Sequence, residues 1–122
     1  MTSPPGFEFI DRYRRAASAY GAALERGDSD RANHEFDMLE TLRLELDTKH
    51  TLVRTLQPLL KDDDEGVRLC SAVHLLRECP NEAAKVLDDL SQRGSTFIRV
   101  TASMNLMKLK QGSDFKPPGL RE

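Results

Sequence analysis

The chain has 122 residues, 39 % apolar and 31 % charged, enough for one domain with a real core that needs neither disulfides nor a metal. Charge is balanced along its length: residues 1–61 and 62–122 each hold 9 basic against 10 acidic residues, which argues against a general nucleic-acid binder. No apolar run approaches the ~20 residues that span a bilayer, and no signal-peptide core follows Met1, so the expectation is a cytoplasmic protein without membrane contact.

Residues 1–6, with Pro4-Pro5-Gly6, read as a loop. Phe9, Ile10, Tyr13, Ala16, Ala17, Tyr20 and Leu24 then recur at three- and four-residue spacing and predict a first helix closed by Gly27. Asp28 or Ser29 caps a second helix, about 29–47, with Phe36, Leu39, Leu42 and Leu46 inward. Glu35, Asp37, Glu40, Arg43 and Glu45 are expected mostly in water. A third helix, about 49–60, carries Leu52, Leu56, Leu59 and Leu60, and Pro58 should kink it or end it early. In the acidic turn Asp62-Asp63-Asp64-Glu65, Asp62 and Glu65 have capping-box spacing ahead of a fourth helix that runs to about Cys79. Pro80 opens a fifth helix, about 80–92, built on Ala83, Ala84, Leu87 and Leu90. Gly94-Ser95 turns the chain into a sixth, about 96–110. Residues 111–122 form an irregular tail, with Phe115 as an anchor onto the body. The class is all-α.

Residues 49–110 repeat with an offset of 31: Val67-Arg68 falls on Ile98-Arg99, Leu75-Leu76 on Leu106-Met107, Leu56 on Leu87 and Leu59 on Leu90. The turn Asp62-Asp63-Asp64-Glu65-Gly66 before Val67-Arg68, and the run Ser71-Ala72 to Leu75-Leu76, resemble HEAT-type repeats. The second unit keeps Ile98-Arg99, Ala102 and Leu106-Met107, with Arg93-Gly94-Ser95 in place of the acidic turn. By length the chain is similar to small uncharacterised bacterial HEAT-like proteins grouped as a domain of unknown function. The resemblance implies a short right-handed solenoid of about three hairpins: a leading hairpin 7–47, repeat 49–79 and repeat 80–110. It implies no activity.

A helical wheel sets Val67, Cys70, Ser71 and His74 on the face of the fourth helix opposite its broad apolar arc. The offset gives the sixth helix the same division, with Ile98, Thr101, Ala102 and Asn105 on the opposite face. Side by side, these short side chains would form either a wall that a protein partner approaches or a seat for the leading hairpin or the tail. Arg68 and Arg99 fall within the apolar arcs and are expected to be structural, bonded to carboxylates or carbonyls, with Asp62, Asp63 or Asp64 of the turn and Asp88 or Asp89 of the fifth helix as partners.

Other chemistry is thinly represented. Cys70 and His74 are neighbours on one helical face, yet no third and fourth ligand completes a zinc site. Cys70 and Cys79, about 13 Å apart along one helix, cannot form a disulfide and read as reduced thiols. Phosphate-binding glycine loops, a nucleophile elbow and His-Glu-x-x-His are missing, and no cofactor or metal is expected. The leading expectation is a non-catalytic protein-binding module, of the kind that serves as an immunity-type or adaptor protein. The alternatives are a HEAT-like enzyme acting on DNA bases or a bilin-type ligand, and a two-fold homodimer covering one end of the stack.

Overall fold

The computed structural model describes residues 7–110. Within them six α-helices occur and no strand: α1 Phe7–Arg26, α2 Ser29–Thr48, α3 Leu52–Leu56, α4 Glu65–Leu75, α5 Pro80–Arg93 and α6 Thr96–Lys110, with a 3-10 segment Gln57–Lys61 after α3. The loop 1–6 and the tail 111–122, including Phe115, lie outside the described residues. None of the helices is long and apolar enough to cross a membrane.

The leading hairpin forms as its spacing predicts. Tyr13, Ala16, Ala17, Tyr20 and Ala23 of α1 are all buried, and so are Ala32, Phe36, Leu39, Leu42 and Leu46 of α2. Gly27 adopts φ +71, the left-handed conformation that lets the Asp28 N–H reach the Ala23 carbonyl, and the Asp28 side chain caps α2 at Arg31 N, 3.1 Å away. Glu35 departs from its expected exposure: it is buried, and Arg31 one turn earlier pairs with it at 2.8 Å. At the far end of α2, His50 takes the same left-handed role with φ 57, a position where glycine is free of strain and histidine is not.

Pro58 acts as expected on the third helix. It has no N–H to donate and its ring crowds the carbonyl one turn back, so the α-ladder stops at Leu56 and a 3-10 turn continues to Lys61. The capping of α4 differs from the expected box. Asp64, not Asp62, is the N-cap and accepts from Val67 N at 3.1 Å, while Asp62 Oδ1 accepts from Asp64 N within the turn. The fourth helix also ends sooner, at Leu75, because the residue before Pro80 is forced from helical geometry: Cys79 sits at φ −131, ψ 61.

Helix α4 is the centre of the packing. Every residue from Gly66 to Leu75 except Arg68 is buried, beneath α1 on one side and against the 3-10 segment, α5 and α6 elsewhere. The α1–α4 crossing is a backbone-to-backbone contact. A Cβ added to Gly21 would lie 2.9 Å from Gly66 Cα, and one added to Gly66 would run into the Ala17 carbonyl. Only glycine at both positions permits this approach.

Candidate functional site

The wall predicted on α4 and α6 exists, but α1 lies on it. Val67, Cys70, Ser71, His74, Ile98, Ala102 and Asn105 are buried and Thr101 is half-buried. Gly21 of α1 faces both Gly66 of α4 and the Ile98 side chain of α6, which closes the seam from above. The expectation of a partner-docking wall at these residues is therefore corrected: the leading hairpin occupies it. The close approach of α1 is made at Gly21 and Gly66, beside these residues.

Beneath this lid runs a buried polar chain. Tyr13 Oη lies 2.6 Å from His74 Nδ1, His74 Nε2 lies 3.0 Å from Glu40 Oε1, and Arg43 holds the Glu40 carboxylate at 3.1 Å. With Glu40 ionised, the consistent arrangement has neutral His74 donating through Nε2 and accepting from the Tyr13 hydroxyl at Nδ1. Burial lowers the His74 pKa and outweighs the opposing pull of Glu40. Burial alone would raise the Glu40 carboxyl, but hydrogen bonds from His74 and Arg43 bring it below its ordinary value. The order hydroxyl–imidazole–carboxylate resembles a nucleophile relay. Tyr13 and the His74 side chain, however, have no solvent exposure, and burial raises the Tyr13 hydroxyl well above its usual range. The chain fixes α1 and α2 onto α4. Both His74 nitrogens are committed to it, so the Cys70–His74 pairing does not form, and burial pushes the Cys70 thiol far up. Among the described residues no three His, Cys, Asp or Glu side chains gather as metal ligands.

The acidic turn is structural, with partners on α1 as well as the expected Arg68. Arg14 of α1 binds Asp62 at 2.7 Å, and Ser18 of α1 donates to Asp64 at 2.8 Å. Burial works against the Asp62 charge, but Arg14 and the Asp64 N–H hold its pKa below the ordinary value. Arg68 bonds the carbonyls of Asp62 and Asp63, closing the turn that precedes its own helix. Arg99 is not its counterpart: it is exposed, a second correction. Glu65 reaches across to the start of α6, accepting from the Ser95 N–H at 3.1 Å and the Ser95 hydroxyl at 2.6 Å. Glu25 of α1 accepts from the Phe97 N–H at 2.8 Å, so two distant helices satisfy amides at the N-terminus of α6.

The face of α6 that its pattern left open to a partner or to the leading hairpin is buried at Ile98, Ala102 and Asn105, while much of its apolar arc is exposed. Phe97, Val100, Met104 and Met107 are 46–57 % exposed and follow one another at spacings of three, four and three, a single line down the helix. Their counterparts 31 residues earlier are Gly66, Leu69, Val73 and Leu76, all buried. Among the described residues the other exposed large apolar side chains, Met38 and Leu44, lie on α2 and are too far apart round the helix to form a line. A separate surface groove of about 1060 Å³ follows the 3-10 segment. His50, Arg54, Lys61, Glu78 and Glu82 line it with charges of both signs, and no set of polar groups converges there.

Comparison with family models, with curated proteins and with solved structures yields no match. Function has to be read from the geometry of this chain alone.

Proposed function

We propose that the chain is a non-catalytic protein-binding module, a short HEAT-like stack whose docking surface is the outward face of α6. The observation that carries this reading is the bare line Phe97, Val100, Met104 and Met107, set at positions whose counterparts around α4 are all buried. In a stack of like units, the seam that one unit leaves open is the seam the next unit covers. On α4 Gly66 of that set lies under α1, and the hairpin that follows, α5 and α6, also packs against α4. On α6 the corresponding place is open to a partner. Flexible, polarisable methionine suits such a surface, and exposed apolar residues gathered in one line mark interaction sites more often than scattered ones do. An immunity-type or adaptor role is consistent with a compact module of this kind. The relay-like Tyr13–His74–Glu40 chain is sealed and offers no substrate a route, which favours binding over catalysis.

The test is a pull-down at moderate salt from the native host, comparing the wild type with a Val100→Lys/Met104→Lys protein. The partner held by the wild type should be lost, while the unfolding free energy stays within about 0.5 kcal/mol of the original, as for other surface changes. Undiminished capture by the double variant would reject α6 as the site.

A further inference from the structure

The spacing of the bare line says what fits on it. Phe97, Val100, Met104 and Met107 take the a, d, a and d positions of two heptads, a narrow seam and not the broad stripe of a core-facing helix. Such a seam receives the side chains of one helix lying nearly alongside, its knobs entering the holes between these four residues. In that register the e positions are Thr101 and Lys108, and the g positions are Ser103 and Lys110. Helix α6 contains three cationic residues, Arg99, Lys108 and Lys110, and no acidic one. The two carboxylates that reach it, Glu25 and Glu65, do so at its first turn, where backbone and Ser95 groups engage them. A second α6 laid against this one would offer no carboxylate to Lys108 or Arg99.

We infer that α6 receives an amphipathic helix of a partner protein, apolar at its own a and d positions and carrying Glu or Asp at its e and g positions. This inference rests on α6 being the docking face and adds the chemistry of what docks. Complementary charge beside the seam selects the partner and speeds encounter, while the four apolar side chains provide most of the buried area. Because the seam covers only two heptads, the partner helix is expected to be held in place by its own protein or to bind weakly as a free peptide.

The experiment uses the whole chain and two labelled synthetic peptides of about 18 residues, near the length at which a helix becomes marginally stable in water. Both have Leu at every a and d; one has Glu and the other Lys at every e and g. Fluorescence anisotropy should show the Glu peptide binding at least about tenfold more tightly, a difference of roughly 1.4 kcal/mol, with the advantage shrinking as salt is added. Lys108→Glu with Lys110→Glu should reverse the preference, and Met104→Lys should remove both interactions. Equal binding of the two peptides, still lost in Met104→Lys, would overturn the acidic partner and leave the docking face standing. Binding of neither peptide would overturn both. Three other results would assign the line to a different occupant and overturn the inference. One is a mass doubling in light scattering that Met104→Lys abolishes, which means a second copy. Another is a tenfold gain in peptide affinity on deleting residues 111–122, which means the chain's own tail. The last is pelleting with phosphatidylserine vesicles that Met104→Lys abolishes, which means a lipid surface.

Discussion

Helices α4 and α6 begin 31 residues apart, at Glu65 and Thr96, and share a pattern: Val67 matches Ile98, Ser71 matches Ala102, and all four residues are buried. Round the helix the likeness ends. Leu69, Val73 and Leu76 are buried, whereas Val100, Met104 and Met107 stand about half exposed. The residue types scarcely differ, so the contrast comes from neighbours: α4 has a hairpin following it and α6 does not within the described residues. A repeating apolar pattern thus states which faces can be covered, and the number of units stacked decides which faces are.

The sharpest way to break this comparison is to truncate matching residues. Leu69→Ala should cost about 3 kcal/mol, the usual result of opening a cavity in a packed core, whereas Val100→Ala should stay within about 0.5 kcal/mol. Urea unfolding monitored by circular dichroism measures both, and equal losses would mean that α6 is covered in solution. Next in size is Gly66→Ala. Its new Cβ meets the backbone of Ala17 and Gly21, which cannot move aside, so about 2 kcal/mol should be lost. The matching change on α6, Phe97→Ala, should be nearly silent in the same assay.

A smaller effect tests the inner face by pH. The folded state holds His74 neutral, its pKa lowered from 6.5, so the unfolded chain takes up the proton first as pH falls. The stabilisation is complete above about 6.5 and declines below it. Glu40, lowered from 4.5, adds a further loss in more acid solution. The thermal midpoint of the wild type should fall between neutral pH and pH 5. His74→Gln should start lower and show a shallower fall; an unchanged slope would place the proton uptake elsewhere. The smallest effect lies outside both helices. His50→Gly should relieve the left-handed strain and raise stability by about 0.5–1 kcal/mol, while the Leu69 and Val100 contrast stays as it was.

Much of the fold was legible from local rules. Three- and four-residue spacing located the helices, Gly27 and Asp28 marked the first turn, and Pro58 and Pro80 set boundaries. The offset of 31 also pairs burial correctly along the inner side, as at Leu56 with Leu87 and Leu59 with Leu90. Long-range pairing escaped the same reading. Small residues such as Gly66, Ser71 and Ala102 look alike whether they floor a groove or seat another helix, and choosing between them needed the position of α1. Arg99 is exposed where its match Arg68 is half-buried, because a match in sequence is not a match in surroundings. The docking line was visible as a row of apolar positions, but exposure depends on a neighbour that one helix's periodicity does not contain. The polar chain from Tyr13 to Arg43 joins three helices and has no local signature at all.

The carboxylates at the head of α6 bear on how the molecule assembles. Phe97 is clasped by Glu25, 72 positions earlier in the chain, and Ser95 by Glu65, 30 positions earlier. The first turn of α6 thus has one local bond, from the Arg99 N–H to the Ser95 carbonyl, and takes two further acceptors from segments synthesised long before it. Loop closure of that span is slow relative to helix growth, so α6 should gain native protection late in refolding, after the glycine crossing of α1 and α4 has set.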